Sequence, residues 1–346
     1  MMRWLMRFVY TIILFAAWST LAYIYVDHSL SSPPRDKPVT LSIQPGATSE
    51  DIGHLLMENG LIRKDWFFST YSWLTGSSRG LQAGVYEIRP DMDIDDILDM
   101  ITHGKQNTIP VTIPEGFTTE QIANRLQTKG INREEFLEAV DHGQYDYAFL
   151  KEIPKGRERR HWLEGYLYPS TYNIPKNAKA EDVVNMMLGQ FDQILKKNRV
   201  MDRLESRNMT LDQLVNVASI VEREGQVKEE LPKIAGVIYN RLDQDMRLQV
   251  DATVQYALGE HKNRVLYSDL EKQSPYNTYL HTGLPPGPIS NPGEDALLAA
   301  LEPEQHQYLY YVTKKDGSQE HYFAKTFQEH RRYIFQSKNQ LQNSSN

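Results

Sequence analysis

Two glutamates, Glu222 and Glu224, close the apolar part of the stretch 217–230, VASIVEREGQVKEE, and are suited by type to move protons. Thr210, Leu211, Asp212 and Gln213 have the pattern of a capping box, with Thr210 as N-cap and Gln213 at the third helical position. The spacing therefore predicts a helix from Leu211. At about 100° per residue, Leu211, Val215 and Ala218 fall on the side of Glu222, and Val217 and Ile220 on the side of Glu224. The two carboxylates then point in roughly opposite directions. A carboxylate beside an apolar row loses hydration and its pKa rises, which is how a protein keeps a general acid protonated near neutral pH. Two solvated glutamates at a helix end would fit the same letters, and the pattern does not choose between Glu222 and Glu224.

Other chemistries lack their residues. Cysteine is absent, which removes disulfides, thiolate metal sites and a thiol nucleophile. His261, His281, His306 and His321 are scattered without a helical ligand pair, so neither a metal nor a cofactor is expected. Ser219 has no placed base, and no nucleophile elbow or phosphate-cradling glycine loop occurs. A net charge of −7 without an arginine- or lysine-rich block argues against a nucleic-acid partner. What remains is acid–base chemistry by carboxyls among amides, tyrosines and aromatics. Glycosidic cleavage fits that set, and an ordinary glycosidase uses two carboxyls about 5 to 9 Å apart. Glu222 with Asp251 or with Glu164 would supply such a pair. Glu164 lies in the aromatic-dense stretch 161–172, HWLEGYLYPSTY, whose rings suit sugar stacking or an interface equally. Glu115, in a turn leading into a helix, reads as solvated or capping. Arg157, Arg159, Arg160 and His161 form a short basic cluster that suits an anionic polymer, a lipid surface or a plain solvated loop.

These residues need elements to position them. Residues 8–26, FVYTIILFAAWSTLAYIYV, carry no charge and come near the roughly 20 residues a membrane-spanning helix requires. Arg3 and Arg7 precede them, which puts residues 1–7 in the cytoplasm and the rest outside. Bulky residues where a signal peptide would be cut favour a retained single span. Residues 27–38 form a Ser- and Pro-rich linker. A small α+β unit is expected over 39–108: a strand at 39–43, a Pro45-Gly46 turn, a helix ended near Asn59-Gly60, then further strands and helices. The order strand, Pro/Gly turn, helix, glycine recurs at 111–130, so a second small α+β unit is expected over 109–160. A mixed α+β domain follows over 161–336, with a rigid Pro/Gly loop at 283–293, a hairpin at 308–323 and a polar tail at 337–346. Gln249 and Asp251 share a face if 248–254 is extended; otherwise Asp251 or Thr253 caps a helix.

The segment 218–224, ASIVERE, resembles the signature of the YceG-like family, the endolytic murein transglycosylases. The resemblance runs over nearly the whole chain, through LEGYLYPSTY at 163–172, VIYNRL at 237–242, MRLQVDATV at 246–254, YNTY at 276–279 and GLPPGPI at 283–289. Ala252 stands where the family usually has proline, which loosens a turn and removes no reactive group. The resemblance implies an inner-membrane protein with one N-terminal span, a LysM-like module and a catalytic domain in the periplasm. It implies cleavage of the β-1,4 bond between N-acetylmuramic acid and N-acetylglucosamine in nascent peptidoglycan strands, leaving 1,6-anhydro ends and consuming no water. Glu222 takes the family's place of acid and base. Glu224, Gln249, Asp251, Asn277 and Tyr279 match cleft residues, and Glu164 supports the cleft. Cell-wall synthases (penicillin-binding proteins) are the expected partners. A hydrolytic muramidase using Asp251 to activate water, or a non-catalytic peptidoglycan-binding scaffold, are the competing readings.

Overall fold

The structure, a computed structural model, describes residues 10, 14–21, 23, 25, 37–44, 46–103, 108–156, 158–176, 178–205, 207, 209–259 and 265–344. The expected cytoplasmic residues 1–7, linker residues 27–36 and Arg157 of the basic cluster lie outside the described residues. Of the expected span 8–26, Tyr10, residues 14–21, Tyr23 and Tyr25 are described, and they are helical. No helix among the described residues is long and apolar enough to cross a membrane. The expected single membrane-spanning helix is thereby corrected, and the fold class is mixed α+β without it.

The chain forms two compact units, Met1–Ile109 and Pro110–Asn346. In the first, β1 (Val39–Ile43) pairs antiparallel with β2 (Gly84–Ile88), Val39 opposite Ile88. Helices α1 (Ser49–Glu58), α2 (Asp65–Leu74) and α3 (Ile94–His103) cover this ribbon. Strand alternation sends Leu41, Ile43, Tyr86 and Ile88 inward, where they meet Ile52, Leu56, Phe68, Ile97 and Ile101 from the helices. Two strands alone would be marginal; the helices supply the apolar cover that makes the unit a core.

The second unit begins with β3 (Thr108–Thr112), which straddles the boundary and pairs with β4 (Thr171–Pro175). The repeat read from the sequence is a repeat of local geometry. After β1, Gly46 has φ +86° and Thr48 caps α1 in a capping box with Asp51; after β3, Gly116 has φ +73° and Thr118 does the same with Gln121 for α4 (Thr119–Gln127). Gly60 and Gly130 leave the two helices at φ +66° and +91°. Then come α5 (Arg133–His142), α6 (Ala180–Lys197), α7 (Val200–Glu205), α8 (Leu211–Glu224), α9 (Leu231–Asp243), α10 (Asp251–Leu258) and α11 (Glu294–Leu301). The hairpin is β5 (Tyr310–Thr313) with β6 (His321–Ala324), antiparallel. The polar segment expected as a tail from 337 instead continues α12 (Phe327–Ser344). Ser337 is buried in it and donates to the Thr313 carbonyl at 2.8 Å, which docks the helix on β5.

Helix α8 is the axis of this unit. Leu214, Val215, Val217, Ala218, Ile220 and Val221 are all buried, and α9, α10 and α11 pack around it. A helix apolar on every side can only be central. Its two buried polar side chains hold the Pro/Gly loop. Asn216 Nδ2 donates to the Pro285 carbonyl at 2.8 Å, and Ser219 Oγ accepts from the Ile289 N–H at 3.0 Å. Ser290 Oγ donates to the Ser219 carbonyl at 3.1 Å. Residues 248–254 are not extended: Gln249 is left-handed at φ +52° and α10 starts at Asp251. Neither Asp251 nor Thr253 caps that helix by a side-chain hydrogen bond; Thr253 Oγ1 donates to the Val250 carbonyl at 2.7 Å instead.

Candidate active site

The capping box at Thr210 and Gln213 starts α8, and Gly225 ends it, so both glutamates sit in its last turn. The negative end of the helix dipole lies there and disfavours a charged carboxylate. Glu222 is half-buried. Its Oε2 accepts from the Gly293 N–H at 3.0 Å, at the start of α11, and this is its one hydrogen bond among the described residues. Burial pushes its pKa up; the Gly293 N–H opposes this, Glu115 adds to it, Arg223 opposes and Asp295 adds. A Cβ on Gly116 would come 3.5 Å from the Glu222 Cγ, and the Arg223 guanidinium donates to the Gly116 carbonyl at 3.3 Å. Gly293 has no room for a Cβ, which would run into the Glu115 carboxylate. Glu115 therefore belongs to the surroundings of Glu222. The sequence reading as a solvated or capping residue missed this, because Glu115 and Glu222 meet only through the fold.

Glu224 points to the other side, as helical spacing predicts. Its Oε2 accepts from the Tyr311 hydroxyl of β5 at 2.9 Å. Burial pushes its pKa up to about 7; the Tyr311 bond opposes, Asp251 adds, and Arg223 and the Ala252 N–H oppose. Asp251 accepts from the Tyr279 hydroxyl at 2.6 Å. The structure thus gathers Glu224, Asp251, Tyr279 and Tyr311 into one group. Asp251 lies close enough to Glu224 to raise its pKa.

The remaining candidates separate into exposed and buried. Gln249 is exposed, its backbone N–H bonded to the Thr278 carbonyl at 3.1 Å. Asn277 is fully buried: its Nδ2 donates to the Leu270 and Lys272 carbonyls, both at 2.9 Å, and its Oδ1 accepts from the Tyr279 N–H at 3.0 Å. It shapes the loop that carries Tyr279. Glu164 is 1% exposed and accepts from the Thr119 N–H, the Asn291 amide and the Tyr256 hydroxyl at 2.9, 3.1 and 2.9 Å. Burial raises its pKa; His161, Thr119 and Tyr256 oppose this. It ties α4, α10 and the 283–293 loop together from behind.

Sequence reasoning passed over Asn291, which joins the same elements. Its Oδ1 accepts from the Gly165 and Leu167 N–H groups at 3.0 and 2.8 Å, and its Nδ2 donates to the Phe117 carbonyl at 2.9 Å. The backbone of Asn291 also bonds that of Gly116 and Phe117, at 2.9 and 2.8 Å. Gly165, at φ +92°, lets this crossing close: a Cβ there would lie 2.6 Å from Pro288 and 2.8 Å from Val215. The one sequence signal for Asn291 is a polar residue inside an otherwise rigid Pro/Gly run.

Among the described residues no group of histidine or acidic side chains could hold a metal ion. Two carboxyls with raised pKa on opposite sides of one helix end, with tyrosines and amide donors nearby, suit acid–base cleavage of a polar polymer. The comparisons with known proteins fit this set. The model of the YceG-like family matches residues 41–336. An endolytic murein transglycosylase of Bacillus subtilis (strain 168) is 36% identical over 323 residues, covering 89% of this chain and 88% of that protein. One from Streptococcus pneumoniae serotype 2 (strain D39) is 30% identical over 354 residues, covering 94% of this chain and 64% of that protein. A crystal structure of a yceG-like protein from Listeria monocytogenes matches with a TM-score of 0.59 at 36% identity, covering 86% of this chain and 99% of that chain.

Proposed function

The chain belongs to the YceG-like family, and from that premise we propose that it is an endolytic murein lytic transglycosylase with Glu222 as its acid and base. One observation carries the role of Glu222: a half-buried carboxyl with a raised pKa, at a helix end, held by a single N–H from Gly293. Such a group keeps a proton to give and accepts one back. Glu222 protonates the oxygen bridging N-acetylmuramic acid to N-acetylglucosamine, and the bond from that oxygen to the muramoyl C1 breaks. The C6 hydroxyl of the same sugar then attacks C1 and returns its proton to Glu222. One proton leaves and one comes back, no water enters, and the product is a 1,6-anhydro end.

Glu224, Asp251 and Tyr279 orient the glycan strand. Gln249, exposed at the rim, contacts the strand. Glu164 and Asn277 act as scaffolding. The unit containing β1, β2 and α1–α3 serves as a LysM-like module that holds glycan. The substrate lies outside the cytoplasmic membrane, so the catalytic unit works there, and synthases that polymerise the strands are its expected partners.

A second reading has one observation in its favour: Glu224, with a pKa near 7 and Asp251 beside it, also has the properties of a general acid. With Asp251 activating water, that pair would hydrolyse the bond. Uncrosslinked glycan strands digested with wild type, Glu222→Gln and Glu224→Gln, with products weighed by mass spectrometry, separate the readings. Anhydro ends from wild type and from Glu224→Gln, but not from Glu222→Gln, are expected. Anhydro ends from Glu222→Gln would move the acid to Glu224, and reducing ends from wild type would make the enzyme a hydrolase.

A further inference from the structure

A cleft of about 520 Å³ is bordered by Arg223, which lies between the two glutamates in α8, and by Glu120, Arg133, Arg160, His161 and Tyr256. Its volume is typical of a ligand site, roughly 300–1,000 Å³. Arg223 lies between Glu222 and Glu224 in α8 and borders the cleft, so a group seated there is close to the sugar being cut. The charges of the cleft are unevenly matched. Arg133 is paired with Glu120, and His161 lies between Asp141, at 3.0 Å, and Glu120, at 3.4 Å. Arg160 and Arg223 have no carboxylate ion-pair partner among the described residues. Arg160 Nη1 donates to the Tyr256 carbonyl at 2.7 Å and its guanidinium lies 5.0 Å over the Tyr256 ring; Arg223 Nη1 donates to the Gly116 carbonyl. Each guanidinium has five N–H donors, and among the described residues one of them is used on Arg160 and one on Arg223. Arg159, next in the basic cluster, is spent differently: it is buried on Asp212 at 2.8 Å.

Sugar hydroxyls do not call for two guanidinium forks with N–H donors to spare, whereas carboxylates do. We propose that this cleft binds the carboxylates of the short peptide carried by the muramoyl sugar, so that the protein selects peptide-bearing strands over bare glycan. The proposal rests on the reading of the chain as a murein-cutting enzyme. Murein differs from a plain β-1,4 glycan in the peptide attached to the lactyl group of each muramoyl residue, which ends in free carboxylates. With the muramoyl C1 at Glu222, that peptide leaves the same sugar and reaches the neighbouring cleft. Arg160 and Arg223 take its carboxylates, and the Gln255 amide lies along the wall.

The test measures kcat/KM on three uncrosslinked strands that differ only in the peptide: native, with its carboxylates converted to amides, and stripped of peptide. Wild type is expected to prefer the native strand over both others by roughly tenfold, chiefly through KM, the effect of about one charge-assisted contact. Arg160→Gln is expected to bring the native-to-amidated ratio close to one, and Arg160→Lys to keep part of it. Equal kcat/KM of wild type on native and amidated strands overturns the proposal without touching the transglycosylase reading. So does an Arg160→Gln variant that keeps the full preference. Should Arg160→Gln fail to fold, a folded Arg160→Lys decides: a ratio below that of wild type supports the proposal, and the full wild-type ratio overturns it. A wild type that cuts none of the three strands removes the transglycosylase reading itself.

Discussion

Tyr311 donates to Glu224 and holds its carboxyl below the pKa that burial alone would give. Tyr311→Phe is therefore expected to push Glu224 above about 7, read by NMR titration of the carboxyl carbon; an unchanged or lower value rejects that account. The same shift has a sign for stability. Glu224 has a folded pKa above its unfolded value of 4.5, so the folded state holds the proton more tightly. The cost to folding is absent below the unfolded pKa, grows as pH rises toward about 7, and is complete above it. Glu224→Gln should remove that slope and raise stability above neutral pH by on the order of 2 kcal/mol, measured as urea midpoints at acid and at mildly alkaline pH. Glu222→Gln keeps the shape of the side chain and its Gly293 neighbour. It is expected to lose cleavage by about a thousandfold or more with its melting temperature nearly unchanged. The opposite directions of Glu222 and Glu224 were legible from the helical period. Their neighbours were not, because Glu115, Gly293 and Tyr311 come from distant parts of the chain.

The two devices that hold α8 differ in how visible they are. Its start is local: Thr210 and Gln213 satisfy each other's backbone N–H groups within one turn, and the letters announce it. Thr210→Ala is expected to cost about 1 kcal/mol, seen as a lower urea midpoint with an unchanged slope. Its surroundings are held by long-range bonds. Asn291→Ala would strip partners from the buried Gly165 and Leu167 N–H groups and from Glu164 at once. A cost of about 2–4 kcal/mol is expected, with activity falling at temperatures where the fold remains intact. A loss under about 0.5 kcal/mol would show that this crossing does not hold the site. The strand–glycine–helix repeat was readable for the same reason as the capping box. Where β3 would find its partner was not, since β4 lies beyond α4 and α5.

Every candidate site residue lies between Glu115 and Tyr311, inside the second compact unit. That unit carries its own core around α8, from Val111 to Ala324. A chain beginning at Thr108 is therefore expected to unfold in one cooperative transition and to cut short glycan strands, with the missing first unit felt as weaker binding of long ones. A fragment that unfolds without a transition would mean that the second unit needs the first. The net charge of −7 coexists with two arginines, Arg160 and Arg223, that border one cleft and have no carboxylate ion-pair partner among the described residues. Cleavage of peptide-bearing strands should accordingly weaken with added salt more than cleavage of stripped strands.

Taken alone, the sequence determined the helix that carries both carboxyls, the capping box that starts it, the repeated strand–turn–helix pattern and the absence of thiol chemistry. These follow from interactions within a few residues, whose spacing is written in the chain. Its expectation of a membrane-spanning helix rested on hydropathy, and no helix among the described residues meets that need. Only the tertiary structure decided that Asp251 faces Glu224, that Glu115 crowds Glu222, and that Asn277 and Glu164 are buried. It also decided that Arg160 donates to the Tyr256 carbonyl while Arg159 is spent on Asp212. A side chain's charge state and its partner depend on which distant backbone closes over it, and that information exists only once α8 has gathered the loops around itself.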